Sequence, residues 1–158
     1  MTKKINIYTD GSSIGNPGPG GYGIIMILED AKYKKELSQG FKLTTNNRME
    51  LLAVIVALER IKVKDSNVEV FTDSKYVSDA VDKEWVFKWE KINFKKKKNP
   101  DLWKRFLLIY RKHNVTFTWI KGHNKHPENE RCDYMANNAA KSSNLINDIY
   151  YEKNIKEV

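Results

Sequence analysis

Four carboxylates in this chain of 158 residues stand out by what surrounds them. Asp10 sits in Tyr8-Thr9-Asp10-Gly11-Ser12 and Asp73 in Phe71-Thr72-Asp73-Ser74-Lys75, the same apolar–Thr–Asp–small pattern twice. Each follows a short apolar alternation that reads as a strand, and catalytic groups gather where a rigid strand hands over to a loop. Singly, each has a plain structural explanation. Asp-Gly is a common turn pair, and Asp73 fits the N-cap of a helix starting at residue 74. The repetition argues for shared chemistry. Glu50 is the only charged residue between Arg48 and Glu59, in the first turn of the most apolar helix of the chain. Its alternative role is a capping box with Asn47, at the right spacing and at the helix end that favours an acid. Asp133 lies inside the last helix, in PENERCDYMANNAA, where the alternative is an ordinary exposed acid. Carboxylates gathered in one place repel unless a cation joins them. Three or four of them, in a chain with one cysteine, select hard oxygen-seeking ions such as Mg²⁺ or Mn²⁺.

Other chemistries fare worse. His123 and His126 lie in a loop and with the lone Cys132 make an incomplete zinc ligand set, and no His-Glu-x-x-His helix exists. A loop histidine such as His123 suits proton transfer better. Gly18 to Gly23 matches G-x-G-x-x-G but runs into a strand instead of opening a helix, which argues against a dinucleotide site. The lone Cys132 excludes an internal disulfide framework. No apolar run approaches a membrane span, and the N-terminus lacks a signal-peptide core. The expected setting is the cytoplasm, with no membrane partner.

The elements that must position the four acids follow from periodicity. Strands are expected at 4–9, 21–28, 36–44, 68–72 and 115–120. Helices are expected at about 46–61, 74–81, 101–113 and 128–143, with Pro100 and Pro127 at first-turn positions. This predicts an α/β fold: one mixed five-stranded sheet, three antiparallel strands then two more, flanked by helices. The domain is expected to span 1–143, followed by a polar tail at 144–158.

Net charge is +8, with a pI near 9.4, which points to a polyanionic partner. Residues 83–98 hold seven lysines, including the run Lys95 to Lys98, against Glu84 and Glu90. Trp85, Trp89 and Trp103 lie in or beside this segment. Flat rings interleaved with ammonium groups suit sugars, bases and phosphates. Helix packing at i, i+4 is the alternative for Trp85 and Trp89.

The motifs TDGSSIGNPGPGGYG, TTNNRMELLAVIVALE, TDSKYV and WIKGHNKHPENERCD, in this order, resemble those of bacterial type I ribonuclease H from residue 5 to about 141. The resemblance implies a ribonuclease H-like fold and a monomeric endoribonuclease that cuts the RNA strand of RNA–DNA hybrids, leaving 5′-phosphate and 3′-hydroxyl ends. It implies that Asp10, Glu50, Asp73 and Asp133 hold two Mg²⁺ ions, with Mn²⁺ a possible substitute. Two such ions can clamp an in-line displacement. By the same resemblance His123 assists proton transfer or product release, and Glu130 is linked to that loop. Asn16 and the glycine-rich turn approach the RNA backbone. Asn46 and Asn47 contact the minor groove, and Thr45 with Asn99 holds a DNA-strand phosphate. Trp85, Lys88 and Trp89 lie on a basic protrusion at about 82–99.

Three features depart from the family pattern. Phe94 stands where a third tryptophan is frequent, and the protrusion is shortened. Lys75 replaces a common glutamine two residues after Asp73. The tail carries no readable motif. A non-catalytic hybrid-binding module is the alternative, and it would be expected to have lost at least one of the four acids.

Overall fold

Period-two alternation along the first two strands decides the layering. The structure, a computed structural model, describes residues 4–29, 33–122 and 126–155. On β1 (Lys4–Ser13), Ile5 and Ile7 face one layer and Tyr8 the other. On β2 (Gly18–Leu28), Ile24 and Met26 oppose Ile25 and Ile27 in the same way. Both faces of the sheet are therefore apolar, and both must be covered.

The sheet also contains β3 (Tyr33–Thr44), β4 (Asn67–Thr72), β5 (Asn114–Trp119) and β6 (Leu145–Ile146), in the order β5-β4-β1-β2-β3-β6. β1, β2 and β3 form an antiparallel meander, while β4 pairs parallel with β1, and β5 with β4. Six strands replace the five expected. The sixth pairs only Leu145 and Ile146 with Gly40 and Phe41, too short a stretch for alternation to reveal.

Helices α1 (Asn46–Glu59), α2 (Lys75–Asp82) and α4 (Pro100–Tyr110) build the larger core on one face. α1 is buried nearly all round between the sheet and α4, as its unbroken apolar run demands. α3 (Trp85–Lys91) follows α2 and leads through a turn, with Asn93, Phe94 and Lys96 at positive φ, toward α4. α5 (Pro127–Lys141) covers the opposite face. It lies unusually low on the sheet. A Cβ on Gly23 or Gly40 would overlap the α5 carbonyls of Cys132 and Ala139, so only glycine there lets the helix backbone settle. Gly18 to Gly23 thus serve the strand and its packing more than a turn.

The segment read as a polar tail is folded onto the domain. β6 extends the sheet, and Asp148 is buried and caps α6 (Ile149–Asn154). Among the described residues, no helix is long and apolar enough to cross a membrane.

Candidate active site

Asp10 is not at the end of its strand. β1 runs on to Ser13 along β2, where Asp10 faces Gly23. The parallel neighbour is what ends: its register with β1 stops at Tyr8–Phe71, and β4 closes at Thr72. Asp10 and Asp73 therefore emerge side by side where two central parallel strands part. Asp73 does not cap α2, because Ser74 accepts the Val77 N–H and does so instead. Nor does Glu50 form a capping box. Thr45 caps α1 by accepting the Arg48 N–H, and Glu50 turns toward the sheet, where its Oε1 accepts the Gly11 N–H at 3.0 Å.

Oxygens of Asp10, Glu50 and Asp73 lie within 4.8 Å of one another, the one such acid cluster among the described residues. Asp133 reaches Asp10 from α5. All four line one open pocket of about 370 Å³, with Asn46, Asn47, Lys75 and Tyr76 around it. Two unit charges at 4.8 Å repel by about 3.5 kcal/mol at an effective dielectric of ~20. Asp10 and Glu50 are each only 4% exposed. Burial, then the charges of Glu50 and Asp73, drive the Asp10 carboxyl far above the usual carboxylate range. Burial and the Asp73 charge also raise Glu50, offset in part by its contact with Asp10 and by the Gly11 N–H. Without a cation, ionising both carboxyls at once is opposed by burial and by their neighbours' charge.

The donor set fits a hard divalent cation. It is all oxygen, and Glu50 Oε2 is buried with no hydrogen-bond donor, a costly arrangement that a cation would relieve. Among the described residues nothing supports a zinc site. Cys132 is buried against the sheet, its thiol donates to the Tyr8 carbonyl at 3.3 Å, and burial pushes its pKa up.

The other sequence-derived residues fall into three places. Asn46 and Asn47 sit exposed at the start of α1 beside the acids, and Asn16 Oδ1 accepts the Asn46 N–H at 3.1 Å. Thr45 and Asn99 are joined through Arg48, whose backbone N–H donates to Thr45 Oγ1 and whose Nη1 donates to Asn99 Oδ1 at 3.2 Å. Trp85, Lys88 and Trp89 share α3 but differ in exposure. Trp85 is 39% exposed with Lys83 Nζ 5.2 Å above its ring, whereas Trp89 packs edge-on against buried Trp103. His123 lies outside the described residues; Glu130 is exposed in the first turn of α5.

Sequence reasoning missed Trp119, Tyr76 and Asp148. Lys75 Nζ stands 4.2 Å from the Trp119 ring centre, and the Trp119 indole N–H donates to the Asp73 carbonyl. Trp119 ends β5, and its aromatic-before-loop position was the available signal.

Comparison with known proteins fits this geometry. The RNase H family model matches residues 2–141. A ribonuclease H of Desulforamulus reducens is 53% identical over 152 residues, covering 93% of this chain and 94% of its own. LC9-RNase H1, a type 1 RNase H with the type 2 active-site motif, superposes with a TM-score of 0.80 at 31% identity, over 98% of this chain and 82% of its own. LC11-RNase H1, solved in complex with RNA/DNA hybrid, gives 0.66 at 30% identity, over 87% and 96%. The chain belongs to the RNase H family, a family of nucleases.

Proposed function

We propose that this protein is a divalent-cation-dependent endoribonuclease that hydrolyses the RNA strand of RNA–DNA hybrids, leaving 5′-phosphate and 3′-hydroxyl ends. One observation carries the reading: four acids from four separate elements converge on one pocket, where Glu50 keeps a buried oxygen with no donor. Asp10, Glu50, Asp73 and Asp133 would hold two Mg²⁺ ions, or Mn²⁺ in their place. Bound there, the ions supply a water nucleophile at neutral pH and neutralise charge on the phosphate.

The chain's own groups bind and orient the substrate. Asn46 and Asn47 offer amide donors and acceptors beside the acids, suited to 2′-hydroxyls and base edges of a minor groove. Asn16 braces Asn46 from the β1–β2 turn. Thr45 and Asn99 take a DNA-strand phosphate, and Trp85 and Lys88 present ring and charge to that strand, with Trp89 packed behind them on Trp103. His123 carries a proton to or from the reacting oxygens. All four acids come from one chain, so a monomer suffices. A nucleic-acid substrate and a single buried cysteine suit the cytoplasm.

The test is a labelled RNA strand offered alone, paired with RNA, and paired with DNA, with Mg²⁺ or with chelator. The expected result is cleavage of the hybrid alone, and only with cation. Binding without cleavage would replace this reading with a hybrid-binding module. Cleavage of free RNA would overturn the hybrid specificity.

A further inference from the structure

The Arg48 guanidinium makes five hydrogen bonds, and it sits behind the pair read as a phosphate site. It is 2% exposed. Its Nε donates to Asp148 Oδ2 at 2.7 Å, and Nη2 to Asp148 Oδ1 at 3.0 Å. Nη1 and Nη2 also donate to the two oxygens of Asp101, at 2.9 and 2.8 Å. The remaining Nη1 hydrogen goes to Asn99 Oδ1 at 3.2 Å. A guanidinium has five N–H donors, and these five bonds use them all. Arg48 has nothing left to offer a ligand, so its work is done through its partners.

Asn99 is the partner read as a phosphate contact. Its Oδ1 is held by Arg48, which fixes which end of the amide carries hydrogens. Its Nδ2 donates one hydrogen to Tyr76 Oη at 2.9 Å and keeps the second. Thr45 is set by the same residue: its hydroxyl oxygen accepts the Arg48 backbone N–H, leaving its own hydrogen to donate. Arg48 is itself held from the C-terminal segment. Asp148 accepts two of its bonds and a third from Thr44 Oγ1 at 2.7 Å. The rings of Tyr150 and Tyr151 lie 5.5 and 5.9 Å from the guanidinium carbon.

We propose that Asp148, carried by the C-terminal segment, is a positioning residue for hybrid binding: through Arg48 it sets the orientation in which Asn99 and Thr45 present donors to a DNA-strand phosphate. The proposal rests on the reading of Asn99 as a phosphate contact. Asp148 does not touch the substrate. Loss of its charge leaves Arg48 half-clasped and Asn99 free to turn its carbonyl outward, toward an anion it would repel.

A double-mutant cycle tests this, using the full chain with Asp10→Asn to prevent cleavage, at a temperature where every variant is folded. Binding of an RNA–DNA hybrid is measured for the parent, Asn99→Ala, Asp148→Asn and the two combined. The expected result is a loss of about tenfold for each single change, the size of one hydrogen bond to a charged group, and no further loss in the combination. If Asp148→Asn does not fold, Arg48→Lys replaces it in the cycle, because an ammonium cannot reach Asn99 and both acids in one plane. The side-chain amide signals of Asn99 are read by NMR without hybrid, and they should shift in the variant used. Folded Asp148→Asn with parental affinity, or single losses that multiply, would overturn the proposal. Parental affinity in Asn99→Ala would overturn the phosphate reading of Asn99, and the proposal with it.

Discussion

The backbone N–H of Gly11 donates to Glu50 Oε1 at 3.0 Å, tying β1 to the first turn of α1 across 39 residues of sequence. That bond places the second carboxylate against the first. A Cβ on Gly11 would overlap the backbone of Met49 and Glu50, so the approach is open to glycine alone. Gly11→Ala should therefore push α1 outward and displace Glu50. The expected cost is about 1–3 kcal/mol of stability, the usual range for overpacking, with hybrid cleavage lowered more than tenfold under conditions where the variant is folded. Denaturant unfolding and a cleavage assay on the same preparation check both.

Asp10→Asn should abolish cleavage while leaving hybrid binding within a few fold, because substrate contacts lie on other residues. Cleavage at the parental rate would sink the assignment of the site.

The same variant carries a pH signature. Burial and the neighbouring acids raise the Asp10 carboxyl in the folded protein above its ordinary value near 3.9, so the native state binds that proton more tightly than the unfolded chain does. The contribution is fully present below the ordinary value and is lost as pH rises toward the folded one. In chelator, the parent should lose stability relative to Asp10→Asn progressively as pH rises above about 4. Mg²⁺ should restore the parent by about 2.7 kcal/mol at a hundredfold excess over its dissociation constant, and restore the variant less. Urea titrations across that pH range decide it. Parallel curves in chelator would show that the carboxyl is not held raised.

Lys75 stands beside the acids, yet its ammonium lies over the Trp119 ring, an attractive cation–π geometry. Held there, it is placed to meet a phosphate and not to compete for the metal site. Lys75→Gln should weaken hybrid binding and lower the slope of log affinity against log salt by about 1, with the Mg²⁺ concentration for half-maximal rate unchanged. A shift in that concentration with an unchanged salt slope would point to the opposite role.

Trp85 and Trp89 should separate in their effects. Trp85→Ala should cost about 1–3 kcal/mol of hybrid affinity, the range for loss of an aromatic stacking surface, and little stability. Trp89→Ala removes a partly buried ring packed edge-on against Trp103 at 5.7 Å and should lower stability by about 3 kcal/mol, the low end of the range for a core aromatic. Thermal melts and binding isotherms for the two variants distinguish them.

Much of this site was legible because its signals are local. The repeated Thr-Asp at 9–10 and 72–73, and a lone acid in the apolar run of α1, mark the acids without any knowledge of the fold. The boundaries of α1 and β4 follow from periodicity within one or two residues. What failed to show was relational. Ser74 and Asp73 both have N-cap chemistry, and the geometry of two parting strands chooses between them. Glu50 has capping-box spacing, but an N–H from a distant strand claims it. Trp85 and Trp89 look equivalent at i, i+4, yet one faces Trp103 and the other solvent. Asp148 lies in a polar stretch whose strand is two residues long, so neither alternation nor composition announces a partner in α1.

The clasp on Arg48 also bears on how the chain is made. Asp148 follows Arg48 by 100 residues, so at about 5–20 residues per second roughly 5 to 20 seconds pass before the second acid of the clasp is synthesised, with Asp101 the one acid available to Arg48 until then. Asp133, the last of the four site acids, also comes late in the order of synthesis. Synthesis of the segment that carries Asp133 and Asp148, and not the folding of the first half, is what completes both the acid pocket and the clasp behind its substrate contacts. A nascent chain stalled before that point has neither.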